Sequence, residues 1–227
     1  MNELRSFTDA AQLDGALADY ISAHLGHDLD RHGRASLAVS GGGTPKHMFQ
    51  QLSLRELDWS RVWVTLVDER WVAPDSADSN ERLVRENLLQ NRAAAANFVS
   101  LKTAHADAAD ALEEVERLLD DIPQPFSLVL LGMGGDGHTA SWFPQAKNLR
   151  DLLDPFCSAR LGITNPVTAP HQRITLTLPA VLNSRDIIIH ITGKDKHRVL
   201  GSARQHHYPV ATILTQTTTP VTIWWAP

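Results

Sequence analysis

The sequence predicts an α/β fold: a single domain over residues 1–227, three α/β/α layers around a mostly parallel, Rossmann-like sheet. Three observations carry this. Short apolar runs alternate with amphipathic helical patterns along the chain, as a sheet between helical layers requires. Several runs are apolar at every position, as strands buried on both faces must be. Each glycine-rich or charged stretch lies beside such a run, where an α/β sheet presents chemistry at its carboxyl edge. With 227 residues, 43% of them hydrophobic, one large core can bury about 70–75% of the unfolded surface.

The elements follow in order. Residues 8–30 space Leu13, Leu17, Ile21 and Leu25 four apart, the apolar stripe of a helix. Residues 36–39 read as a short buried strand. Thr44-Pro45 reads as the N-cap and first-turn proline of a helix reaching about Leu54. Residues 62–67 are rich in β-branched side chains, a strand. Residues 80–89 and 107–119 read as helices, and Ala93 to Ala96 as a helix end or loop. Residues 128–131 form a buried strand, leading into a glycine turn that places Asp136 and His138 at the opening of a helix. Residues 174–178 and 187–191 read as strands, 195–204 as a helix and 221–225 as a closing strand. Trp224-Trp225 fits packing of that strand better than an exposed patch.

Charge narrows the partners. The formal net charge is −5, with no basic arm or patch for nucleic acid, so an anion site must be local. No window reaches the 18 or so consecutive apolar residues of a membrane span. Residues 1–20 are acidic and lack an apolar signal core, so a cytoplasmic location is expected. The one cysteine, Cys157, allows no intrachain disulfide and reads as a packed side chain. Oligomeric state is left open, a monomer included.

Five stretches carry chemistry, and each also has a plain structural reading. Ser40-Gly41-Gly42-Gly43-Thr44-Pro45 lets backbone approach a ligand before a helix N-terminus, which suits a phosphate monoester; it equally describes a tight turn. It matches neither a dinucleotide fingerprint nor a P-loop. Asp68-Glu69-Arg70, followed by Asp78-Ser79-Asn80, sets a guanidinium among carboxylates, either for a polar substrate or as a surface ion pair. Leu131 to Ala140 packs four glycines, one carboxylate and one imidazole into ten residues. His138 there suits a general base, or merely packs beside a capping Asp136. Arg173 and Gly193-Lys194 put cations beside strand ends, for phosphate oxygens or for solvent. The histidine pairs His24/His27 and His206/His207 lack the further partners of a zinc site, so neither metal nor cofactor is expected.

Together, in this order, the stretches resemble the 6-phosphogluconolactonases, within the superfamily of glucosamine-6-phosphate isomerases. The resemblance runs from Ser40 to about Lys196. It implies the glucosamine-6-phosphate deaminase-like version of the fold, and hydrolysis of 6-phospho-D-glucono-1,5-lactone in the oxidative pentose phosphate pathway. It implies His138 as general base, with Asp68 and Arg70 beside the reacting ring and Asp136 or Asp68 orienting the imidazole. The substrate is expected among Ser40, Gly41, Gly42, Gly43, Thr44, Asn80, Arg173 and Lys194, its phosphate at the Gly42–Thr44 loop, Arg173 and Lys194. The deaminase pattern has Tyr where Arg70 stands, and an acidic residue soon after the histidine where Trp142-Phe143-Pro144-Gln145 has none. Trp142 departs from the usual Leu of the lactonase pattern. A same-scaffold isomerase or deaminase and a non-catalytic sugar-phosphate sensor are the alternatives.

Overall fold

The computed structural model describes residues 2–227. Its first half contains β1 (Glu3–Ser6), α1 (Ala10–His32), β2 (Ala35–Val39), α2 (Lys46–Ser53), β3 (Val62–Leu66), β4 (Asp68–Arg70), α3 (Asn80–Asn87), β5 (Asn97–Val99) and α4 (Ala108–Leu118). The second half contains β6 (Leu128–Leu131), α5 (Leu149–Leu152), β7 (Leu161–Thr164), β8 (Arg173–Leu176), α6 (Leu178–Leu182), β9 (Ile187–Thr192), α7 (Lys194–Ser202), α8 (Val210–Thr215) and β10 (Val221–Ala226).

Helix α1 shows why the predicted pattern folds. The Asp9 carboxylate accepts from the Gln12 amide at 2.8 Å and caps the first turn. Gly33, at φ 74°, ends the helix in the left-handed conformation, its amide bonded to the Leu29 carbonyl. Between the caps, Leu13, Leu17, Ile21, Leu25 and Leu29 are buried. This stripe packs along α2 and the strands β2 and β10.

Seven strands pair in the order β1-β10-β9-β6-β2-β3-β5, and every pairing is parallel. Strands β2, β6 and β9 are buried almost throughout. From β2 the chain steps one way to β3; from β6 it steps the other way, through β9 to β10. The order therefore reverses between β2 and β6, and loops leaving their carboxyl ends flank a crevice.

A second, antiparallel sheet was not expected. Its order is β4-β8-β7. Val67 joins the two sheets: its amide donates to Val39 of the main sheet, and its carbonyl accepts from Leu176 of the small one. The strand expected over residues 174–178 thus begins at Arg173 and lies outside the parallel sheet. It ends at Leu176, because Pro179 starts a helix within two residues.

Other expectations are corrected too. No helix opens at His138: the next one begins at Leu149. Gly134, Gly135 and Gly137 are poor helix formers, and Pro144 biases Phe143 away from helical backbone. Helix α2 starts one residue later than expected, at Lys46, and no side chain caps it. The short strands β1, β5 and β7 and the helices α6 and α8 carry too little periodicity to be read. Trp224 is buried, stacked on Phe7 at 5.3 Å, while the Trp225 indole donates to Gly193. Cys157 is half-buried. Among the described residues no helix is long and apolar enough to cross a membrane.

Candidate active site

At the crevice between β2 and β6 lies a cavity of about 320 Å³, within the range of small-molecule sites. Two loops, the small sheet, α3, β9 and α7 contribute to it. The loop after β2 brings Ser40 to Pro45, and the loop after β6 brings Gly132 to Ala140 and Phe143. Asp68, Arg70 and Arg173 come from the small sheet, with Asn80 from the start of α3. His190, within β9, and Lys196 in α7 line it as well.

In the glycine turn, Asp136 Oδ1 accepts from His138 twice, from Nδ1 at 2.5 Å and from the backbone amide at 3.2 Å. The His138 bond holds the Asp136 carboxyl below the usual carboxylate range. The Gly134 amide donates to the His138 carbonyl and closes the turn. Only glycine fits at 134, since a Cβ there would meet the His138 ring at 2.3 Å. Phe143 lies against the other side of that ring, centroids 4.3 Å apart. With Nδ1 engaged by Asp136, the free nitrogen of His138 is Nε2.

The charged triplet is sorted by the pleat of β4. Asp68 and Arg70 line the cavity; Glu69, 1% exposed, points the other way, under α3. Glu69 accepts from the amides of Arg70, Asn80 and Glu81 and from the Ser79 hydroxyl, at 2.6 to 3.0 Å. Burial raises its pKa, and these four donors limit the rise. It is the anchor of α3, not a ligand-facing charge as the triplet had suggested. Asp68 Oδ2 accepts from Ser141 at 2.5 Å, and its carbonyl accepts from the Asn80 amide group. Asn80 in turn leaves room only for glycine above it: a Cβ at Gly41 would meet Asn80 Oδ1 at 1.9 Å.

Arg70 and Arg173 are directly opposite in the antiparallel ladder. Like charges so paired repel. Burial and the Arg70 charge pull Arg173 below the usual guanidinium value. Each arginine has one bond to a loop carbonyl, Arg70 to Asp78 and Arg173 to Pro170. Among the described residues, both Nε atoms, Ser40 Oγ and Asn80 Oδ1 are buried without a protein partner. The two arginine nitrogens and the Ser40 hydroxyl are unpaired buried donors that suit an anion, while Asn80 Oδ1 is an acceptor open to a ligand hydroxyl.

Lys194 does not join the cavity. It is exposed at the first position of α7, while Lys196, two residues on, faces in and is half-buried. Its ammonium donates to Thr44 Oγ1 at 3.4 Å, and burial lowers its pKa. Thr44, expected as a helix cap, faces this lysine instead. The uncapped amides of α2 add partial positive charge at the same end. The cavity therefore gathers Ser40, Gly41, Gly42, Gly43, Thr44, Asp68, Arg70, Asn80, His138 and Arg173, with Asp136 just behind His138. His190 lay unread inside an apolar strand, its single imidazole carrying no spacing signal.

Known proteins are similar to this chain in sequence and fold. The family model described as glucosamine-6-phosphate isomerases/6-phosphogluconolactonase matches residues 8–224. A protein of Rhizobium meliloti named 6-phosphogluconolactonase is 41% identical, over 97% of this chain and 97% of its own length. A Neisseria meningitidis protein of the same name is 41% identical over 92% of each chain. The crystal structure of a 6-phosphogluconolactonase from Shewanella baltica superposes with a TM-score of 0.97 at 44% identity, covering 100% of this chain and 98% of that one. A monomeric glucosamine-6-phosphate deaminase, TM-score 0.78 at 15% identity over 99% of this chain and 97% of its own, shares the fold.

Proposed function

The chain belongs to the glucosamine-6-phosphate isomerase/6-phosphogluconolactonase family, and from that premise we propose that it hydrolyses 6-phospho-D-glucono-1,5-lactone to 6-phospho-D-gluconate. One observation carries the reading beyond kinship: a carboxylate-held imidazole shares a cavity with three cations, two arginines of the small sheet and Lys196 of α7. The phosphate is held by the Gly42–Thr44 loop, Lys196 and Arg173, and this remote grip fixes the lactone ring over His138. His138 Nε2 takes a proton from water, and the resulting hydroxide attacks the C1 carbonyl. Asp136 keeps the imidazole in the required tautomer and offsets the charge it gains. Arg70 stabilises the tetrahedral oxyanion. Collapse breaks the bond from C1 to the ring oxygen, and His138 returns the proton to that oxygen.

The carboxylate paired with His138 is Asp136, two residues before it, while Phe143 covers the other side of the ring. The acidic residue that the deaminase pattern places soon after the histidine is absent, Trp142-Phe143-Pro144-Gln145 standing there, and this favours lactone hydrolysis over ring opening of an amino sugar. The direct test follows lactone hydrolysis in real time against the spontaneous background. His138→Ala is expected to lower kcat about a hundredfold or more, with affinity for 6-phosphogluconate kept. Near-normal turnover in this variant, or ammonia release from glucosamine 6-phosphate by the wild type, overturns the reading.

A further inference from the structure

Behind the glycine loop stands a set of ionisable groups that the hydrolysis above does not use. His190 is 2% exposed and lines the cavity. Among the described residues neither of its ring nitrogens has a hydrogen-bond partner, although buried polar groups are ordinarily bonded. Two charged groups face it. Lys196 comes from α7 and lines the same cavity. Asp14 comes from α1, its Oδ1 3.6 Å from His190 Nε2. Its other oxygen, Oδ2, accepts from His47 Nδ1 of α2 at 2.9 Å. On β10 the residue in register is Trp224, which does not titrate. A line of His47, Asp14 and His190 thus runs from the half-exposed side of α2 into the cavity, ending beside the lysine of the anion site.

We propose that His190 is a ligand-binding residue of this site: a phosphate dianion enters together with one proton, which His190 takes from solvent and shares with the ligand. Asp14, held by His47, is the counter-charge on the far side of the ring. The inference rests on the reading of the cavity as a sugar-phosphate site. Its physics is a reversal of sign. Without an anion, burial and the Lys196 charge push His190 down to about 4, so the ring is neutral near pH 7. A dianion beside Lys196 outweighs that single positive charge, and the field at the imidazole then favours its protonated form. The bound ring donates one N–H to the phosphate and turns the other toward Asp14. Dianion affinity therefore declines with rising pH across a range in which the arginines and the ligand phosphate hold their charge.

Calorimetric titration with 6-phosphogluconate at pH 7.5, in buffers of different ionisation enthalpy, counts the protons taken up. The wild type is expected to gain roughly half a proton or more per ligand, and His190→Asn to lose most of that gain while binding about tenfold more weakly. Histidine ¹⁵N spectra of the wild type provide a measurement that needs no variant: one buried imidazole changes from neutral to doubly protonated on adding 6-phosphogluconate or inorganic phosphate. Binding and turnover without proton uptake, or uptake unchanged in His190→Asn, overturns this proposal alone. No binding of either anion overturns it together with the sugar-phosphate reading.

Discussion

Two lysines two residues apart separate what a residue is from where it points. Lys194 is exposed, and Lys196 lines the cavity within reach of Thr44. Removing Lys196 deletes a charge-assisted contact of roughly 1.5–3 kcal/mol. Lys196→Ala is therefore expected to raise KM for the lactone about tenfold or more, with a smaller effect on kcat. Lys194→Ala stays within about twofold of wild type, as surface substitutions do. Steady-state kinetics on the pair checks both, and equal effects would return the anion site to Lys194. His138 and the glycine loop were legible because backbone freedom beside a polar residue is written in the residue types themselves. The choice between Lys194 and Lys196 was not, because it depends on how the first turn of α7 lies against β9. His190 was hidden for a related reason: in Ile-Ile-Ile-His-Ile-Thr only the tertiary neighbours distinguish it from a packed strand residue.

At the scale of elements, the long amphipathic helix and the buried parallel strands were readable from period and composition. The small sheet was not. Its strand β4 is three charged residues, which propensity reads as a loop, and it exists through pairing with β8, more than a hundred residues away in sequence. The helix expected after His138 failed for a local reason, the glycines and Pro144 around it. What ties β4 to α3 is Glu69, with its four donors. Glu69→Ala leaves those donors without their shared acceptor and is expected to destabilise the fold by about 3 kcal/mol, measured by urea unfolding. Glu69→Gln keeps an acceptor and loses less. The alanine variant also raises KM, because Asn80 and Arg70 lose the anchor behind them; an alanine variant as stable as wild type would remove Glu69 from this role.

For the whole molecule, the buried His190 links stability to acid. Its pKa is lowered to about 4 in the folded chain, from an ordinary 6.5. Between these values the unfolded chain binds more protons than the folded one, so stability rises with pH across the window and falls as pH drops from 6.5 toward 4. For a group so buried the full loss is about 3 kcal/mol. His190→Asn cannot titrate, so its unfolding free energy is expected to fall less steeply over that range in parallel urea titrations. Identical slopes would remove His190 as the acid-sensitive group. The same molecule carries a net charge of −5 yet turns cations into one cavity, and the frame of a single strand governs part of that inversion. In β4, alternate residues go to opposite faces, Asp68 and Arg70 inward and Glu69 outward. Shifting such a strand by one residue exchanges its faces. A one-residue deletion between Val67 and Arg70 would thus present a lone carboxylate to an incoming phosphate and bury a guanidinium under α3. Substitutions in this segment change the strength of the grip; a deletion reverses its sign, so the segment should accept altered letters far more readily than a lost residue.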